Sequence, residues 1–304
     1  MDILTICDLH KGFSTHKVLK GVNLSVPQGS IYGFIGKNGA GKTTTMKIAL
    51  GLLRADSGEI QICNKKVRFG SSEANRYVGY LPDVPQFYNF MTAQEYLKLC
   101  GEITGMSAHF IQKKSEYLLN IVGLTDLKKR IGGFSRGMKQ RLGIAQVLLN
   151  DPKLLICDEP TSALDPIGRK EILDILSKVK NHTTIIFSTH ILNDVDTICD
   201  HIGILNNGEI VLSGNLNNIK HEYQNTVMLS LSSNSDLNTL LKSEEIMKLN
   251  KKIQCKETSI YIRTSEVNKI MKWVMKILVK LSITPLKLEI MEPCLENIFM
   301  EVAK

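Results

Sequence analysis

The sequence predicts an α/β fold built on a largely parallel sheet, and three observations carry that prediction. Short β-rich apolar runs alternate with helix-length amphipathic ones. A glycine-rich string follows one such strand and opens the next helix, and another apolar strand ends in two adjacent carboxylates. Strand and helix in alternation is how a chain builds a parallel sheet with helices on its faces.

In chain order, the first unit is the apolar run 31–35 followed by the helix-length run 42–53. Between 85 and 130 the pattern turns helical, with apolar residues three and four apart over 93–100 and 110–122, so a helical insertion interrupts the sheet. Alternation resumes with 153–157 and 167–179, then 183–188 and 191–199. Asn206, Asn207 and Gly208 separate the apolar runs 202–205 and 210–212, a tight-hairpin signal. The first domain is expected over 1–221, with its helical part at about 84–150. A small α+β domain is expected over 222–304: strand-like at 227–231, polar at 230–236, strand-like at 260–263, helix-like at 267–281 and strand-like at 287–290.

A chain of 304 residues with 43% apolar content is long enough for one large domain and a smaller one, each with a core. No run approaches the roughly 18 to 20 uncharged apolar residues that cross a bilayer, and the first eight residues lack a basic segment followed by an apolar stretch. Nothing in it indicates that the chain enters a membrane by itself. The seven cysteines are scattered, without a CxxC pair and with mostly apolar neighbours, which fits reduced thiols in a cytosolic compartment. The net charge of +8 is spread out, with no dense basic block. Such charge suits nucleic acid, anionic lipid, nucleotide phosphates or a plain solvated surface, and decides nothing alone.

The string Gly36, Lys37, Asn38, Gly39, Ala40, Gly41, Lys42, Thr43 fits GxxxxGK[ST] and lies after an apolar strand and before a helix, where a phosphate-binding loop belongs. Glycines let the backbone wrap closely around phosphates, and successive N–H groups with the helix N-terminus face the anion. Lys42 is expected to reach the β and γ phosphates and Thr43 to offer its hydroxyl to Mg²⁺. Loop residues Gly36, Asn38, Gly39, Ala40, Gly41, Lys42 and Thr43, with Thr44 beyond them, are the expected phosphate contacts. This loop does not discriminate adenine from guanine.

The strand 154–157 runs into Asp158 and Glu159, as a buried parallel strand does when it delivers acids to a ligand-binding edge. Asp158 is expected to hold Mg²⁺ through water, and Glu159 to orient and polarise the attacking water. The strand 184–187 leads through Ser188 and Thr189 to His190 near the same edge, where it can donate to a γ-phosphate oxygen. Lys42, Glu159 and His190 are the expected catalytic groups.

The string Phe134, Ser135, Arg136, Gly137, Met138, Lys139, Gln140, Arg141 resembles the signature of ATP-binding cassette (ABC) transporter ATPases. That family most often has Leu-Ser-Gly-Gly-Gln, so Phe134, Arg136 and Met138 depart from it. The form with Met-Lys-Gln-Arg is similar to a branch exporting peptides, antibiotics and polysaccharides. Residues 158–165 look like the family's acidic strand running into its D-loop, and Phe13 falls where an aromatic stacks on adenine. The resemblance covers about 1–216. Asp83 stands where many members carry the glutamine that touches Mg²⁺, and it is expected as a metal ligand with Thr43 and Asp158. The ending 292–299 is similar to that of bacterial bacitracin, bacteriocin and multidrug exporter ATPases.

This resemblance implies a P-loop NTPase cassette with a mixed sheet, using ATP and Mg²⁺. It implies a head-to-tail dimer in which the phosphate loop of one copy and Ser135, Gly137 and Met138 of the other sandwich each ATP. Ser162, Ala163, Leu164 and Asp165 would lie at that interface with Ser135. A separate transmembrane permease subunit would complete an exporter of a peptide, antibiotic or drug-like compound, with this chain peripheral on the inner face of the membrane. No nucleic-acid partner is expected. The alternatives are a DNA-repair or chromosome ATPase, whose long coiled-coil insertion is missing, and a ribosome-associated factor, which generally carries two cassettes where this chain has one phosphate loop. A nucleotide-dependent binding or immunity module is disfavoured by the intact Glu159 and His190.

Overall fold

Five consecutive buried residues make β3 (Ile31–Ile35) an interior strand of a six-stranded sheet. From one edge to the other the order is β10 (Glu209–Asn215), β9 (His201–Asn206), β3, β8 (Thr184–Thr189), β7 (Leu154–Asp158) and β6 (Val78–Leu81). All neighbours are parallel except β9 and β10, which pair antiparallel as the expected hairpin. Its turn residues Asn207 and Gly208 both have positive φ, 49° and 85°, the backbone that a two-residue hairpin turn demands. The structure, a computed structural model, describes all residues except 71, 127, 224, 244–252, 265, 292–293 and 304. Of the terminal similarity at 292–299, Glu292 and Pro293 therefore lie outside the described residues.

A second sheet, not expected from the sequence, is antiparallel: β2 (His16–Pro27), β1 (Asp2–Phe13), β4 (Ser57–Ile62) and β5 (Lys65–Lys66) in that order. The pairing of β1 with β2 shifts register at four places, so the period-two alternation that marks a half-buried strand is broken each time. Its inner face supplies Leu4, Ile6, Val22, Leu24 and Val26 to a core shared with Tyr32 and Phe34 of β3, Ile156 of β7 and Ile186 of β8. Helix α1 (Lys42–Ala49) adds Met46, Ile48 and Ala49 to it and is shorter than the expected 42–53, because Gly51 (φ 71°) ends the helical backbone.

The insertion holds α2 (Ala93–Ile103), α3 (Ala108–Ile121) and α4 (Arg136–Leu148). Thr92 and Glu95 form a reciprocal capping box that starts α2, and Ser107 caps α3. The first unit also holds α5 (Pro166–Val179) and α6 (Leu192–Ile198). Among the described residues no helix is long and apolar enough to cross a membrane.

The chain divides into Met1–Leu216 with Ala303, and Asn217–Val302. The division falls at the start of α7 (Leu216–Glu222), whereas the sequence puts it at 221, near that helix's end. The second unit has an antiparallel sheet in the order β12 (Ile253–Lys256), β13 (Ser259–Arg263), β11 (Thr226–Leu231), β14 (Pro285–Met291). The inner residues Val227, Leu229, Leu231, Ile260 and Ile262 pack with Val274, Ile277 and Leu278 of α9 (Val267–Lys280) and with Leu237 and Leu240 of α8 (Asn234–Leu241). Helix α8 occupies part of the polar stretch that the sequence leaves unassigned: Ser233 caps it by accepting from the Asp236 N–H. The last helix is α10 (Leu295–Val302).

Candidate functional site

Register brings the expected residues together. Ile35 pairs with Thr189 and Asp158 with Ser188, so β3, β7 and β8 end level, and Gly36, Glu159 and His190 are the residues just beyond those ends. The six-stranded sheet thus presents the phosphate loop, the acid pair and the histidine along one edge, the edge where ligands bind in open α/β sheets.

Gly41 begins α1 with φ 110°, a backbone that favours glycine, and a Cβ there would lie 2.6 Å from Leu19 Cδ2, so that side chain would have to shift. Lys37, Asn38, Gly39 and Thr43 are exposed, and Gly36 and Lys42 are buried. Lys42 Nζ donates to the Gly36 carbonyl over 2.7 Å, pinning the loop onto its own start, and lies 3.2 Å from Glu159 Oε1. With only 6% of Lys42 and 15% of Glu159 exposed, this pair is shielded from water and its attraction is strong for the distance.

Glu159 holds a left-handed backbone, φ 49°, rare for a residue with a long side chain. Two bonds from Ser188 secure it: the Glu159 N–H donates to Ser188 O (3.2 Å) and to Ser188 Oγ (3.0 Å). The other Glu159 oxygen, Oε2, is 2.9 Å from His190 Nδ1. Lys42, Glu159 and His190 are therefore one linked set, with the carboxylate between the two nitrogens. Ser188 Oγ also donates to Asp158 Oδ1 over 2.5 Å, so one buried hydroxyl orients both acids. The sequence does not announce this residue, because a serine closing an apolar strand has no periodicity of its own. Replacing Ser188 with Ala is expected to cost about 1 to 3 kcal/mol, since the buried Asp158 carboxylate loses its donor and the Glu159 N–H keeps only its bond to the Ser188 carbonyl. Thermal unfolding should show it as roughly 2 to 4 °C of Tm per kcal/mol. An unchanged Tm would reject the bridging role.

After Glu159 the chain turns sharply. Ser162 N–H donates to the Glu159 carbonyl and Leu164 N–H to that of Thr161; Ala163 has φ 51°, and Asp165 caps α5 by accepting from Gly168 N–H. Thr161 Oγ1 donates to the buried Asp194 over 2.6 Å, which ties the turn to α6; burial raises the Asp194 carboxyl above the usual range against the opposing bond from Thr161. The interface expected at 162–165 is thus a stiff, partly exposed turn.

Ser135 caps α4: its Oγ accepts from Met138 N–H at 3.2 Å, leaving its own O–H to donate. Ser135 is exposed, and Gly137 and Met138 are half-buried. Asp83, two residues beyond β6, has its Oδ1 3.0 Å from Arg136 Nη2. Burial raises its carboxyl above the ordinary value; Arg136 opposes that rise, and the charges of Asp158 and Glu159 add to it. Phe13 closes β1 with 48% of its surface exposed and Lys11 Nζ 5.3 Å from its ring centroid. It stands at the turn into β2, whose Leu19 packs against Gly41, so the ring and the phosphate loop are served by the same hairpin.

A family model described as ABC transporter matches residues 19–162. The ABC transporter ATP-binding protein YxlF of Bacillus subtilis is 44% identical over 226 residues, covering 74% of this chain and 75% of its own. The bacitracin transport ATP-binding protein BcrA of Bacillus licheniformis is 44% identical over 215 residues, covering 69% and 68%. Among solved structures, a dimeric post-hydrolysis ATP-binding cassette bound to ADP and phosphate superposes with a TM-score of 0.63 at 25% identity, covering 70% of this chain and 98% of that one.

Proposed function

Because the chain belongs to the ABC transporter family, we propose that it powers the export of a peptide, antibiotic or drug-like compound through a separate permease in the membrane. It is an ATP-binding subunit and an ATPase. The observation that carries the proposed assignment of its catalytic groups is the linked set Lys42, Glu159 and His190 at three level strand ends.

Lys42 and the loop N–H groups bind and orient the β and γ phosphates, and Phe13 stacks on the adenine. Glu159 takes the proton of the attacking water, and His190, whose Nδ1–H donates to the same carboxylate, keeps Glu159 aimed; as the imidazolium it would also donate from Nε2 toward the γ-phosphate. Thr43 and Asp158 supply a hydroxyl and a carboxylate oxygen, the hard donors that Mg²⁺ takes, with Ser188 orienting the carboxylate. When bound, Mg²⁺ neutralises charge on the phosphates. Ser135, Gly137 and Met138, with the turn 162–165, complete the site of a second copy in a head-to-tail dimer, a reading supported by the dimeric cassette of the same fold.

Similarity to a bacitracin transport subunit supports the cargo class, and seven unpaired thiols support a reducing compartment on the inner face of the membrane. Exposed Tyr88 and Phe90, in ring contact at 5.8 Å at the entry to the helical insertion, suit contact with the permease. Steady-state ATPase of the purified chain, with and without membranes, and the identity of the protein that copurifies with it test the proposal. A six-helix permease is the expected partner; ATPase without any membrane partner, with nucleic acid or ribosomes copurifying instead, would overturn it.

A further inference from the structure

We infer that Asp83 and Arg136 act as a charged positioning pair, fixing the first turn of α4, with Ser135 at its head, against the acid-bearing edge of the sheet. The inference rests on the ATPase function proposed above and assigns Asp83 to Arg136 instead of to the metal.

Each residue is badly placed alone. Arg136 is the first residue of a 13-residue helix, where the positive end of the helix dipole disfavours a cation, and the first turn of α4 has no acidic residue to offset it. Asp83 stands where the like charges of Asp158 and Glu159 repel it. At 3.0 Å each removes the other's difficulty, although 53 residues separate them in the chain. Such mutual dependence distinguishes the pair from an incidental surface contact.

The location gives the pair its consequence. Leu81 pairs with Cys157, the residue before Asp158, so Asp83 leaves the sheet beside the acids. Helix α4 packs on the same strand: a Cβ on Gly143 would lie 2.6 Å from Leu81. Arg136 adds a second anchor seven residues earlier in the chain, beside Ser135, whose hydroxyl caps the turn that also contains Gly137 and Met138. With 43% and 45% exposure the two side chains contribute little to overall stability, so their effect lies in where that turn is held. The turn is what one copy presents to the nucleotide of the other. Loss of the pair therefore lowers turnover at saturating ATP and leaves the affinity of a single subunit for ATP unchanged.

The test compares wild type, Asp83→Asn, Arg136→Gln, and the exchanged variant carrying both Asp83→Arg and Arg136→Asp. Each single change is expected to lower kcat about threefold to tenfold, and the exchange to restore it to within about twofold. The Mg²⁺ concentration for half-maximal activity should stay constant throughout. A clear rise in that concentration for Asp83→Asn alone, or an exchanged variant as slow as the product of the two single losses, would overturn the pair. Hydrogen exchange at the Met138 and Lys139 amides, measured without nucleotide, is the readout independent of catalysis. Faster exchange in both single variants and recovery in the exchanged one supports the pair even in a protein that hydrolyses no ATP, a result that would count against the proposed function alone. Equal exchange in all four proteins would overturn the pair itself.

Discussion

Replacing Glu159 with Gln leaves ATP bound and slows its turnover by roughly 10² to 10⁴. The amide has the size and shape of the carboxylate, so the turn 162–165 and the two backbone bonds from Glu159 N–H to Ser188 are undisturbed. What disappears is the proton acceptor. Neighbours do not replace it: His190 Nδ1 already faces Glu159 Oε2, and Asp158 Oδ1 takes the Ser188 hydroxyl. The substitution also removes the negative charge 3.2 Å from Lys42 Nζ, and with it the group that competes with a phosphate for that ammonium. ATP affinity is therefore expected to stay level or rise while kcat collapses. Equilibrium nucleotide binding measured beside steady-state and single-turnover hydrolysis separates the two quantities. Turnover within about threefold of wild type would remove Glu159 from the role of base.

What was legible in the sequence follows from how each element is buried. Strands β3, β7 and β8 are buried on both faces, so each carries an apolar run (31–35, 154–157 and 185–187), and each leads directly to the residues of the site: Gly36, Asp158 with Glu159, and His190. The string 36–43 was legible as a candidate phosphate loop because that chemistry needs fixed residue types at fixed spacing. The antiparallel sheet of β1, β2, β4 and β5 was only partly legible: Val22, Leu24 and Val26 of β2 and Ile60 and Ile62 of β4 alternate as half-buried strands do, whereas register shifts at four points interrupt the pairing of β1 with β2. Ser188 was hidden for a different reason. Its importance lies in joining Asp158 Oδ1 to the Glu159 N–H across two neighbouring strands, and a relation between strands leaves no pattern along one of them. Asp83 and Arg136 did leave a trace, since both stand out as departures from the family pattern. Their contact needed the fold, which brings together residues 53 positions apart.

Replacing Lys42 with Ala is expected to weaken ATP binding about tenfold to somewhat over a hundredfold, from the loss of a charge-assisted contact of roughly 1.5 to 3 kcal/mol. A further loss acts in the same direction. The Gly36 carbonyl gives up the 2.7 Å bond that pins the loop, so the N–H groups that cradle the phosphates are less well held. Lys42→Arg should not rescue, because a planar guanidinium cannot reproduce a compact ammonium at a position only 6% exposed. Unchanged affinity in Lys42→Ala would reject the phosphate role outright. The sign of coupling with Glu159 gives a finer check. Since Glu159 holds Lys42 in competition with phosphate, removing the lysine should cost more ATP affinity in the Glu159→Gln background than in wild type. Equal costs in the two backgrounds would mean that the 3.2 Å contact does not bear on nucleotide binding, and that Lys42 and Glu159 act on ATP independently.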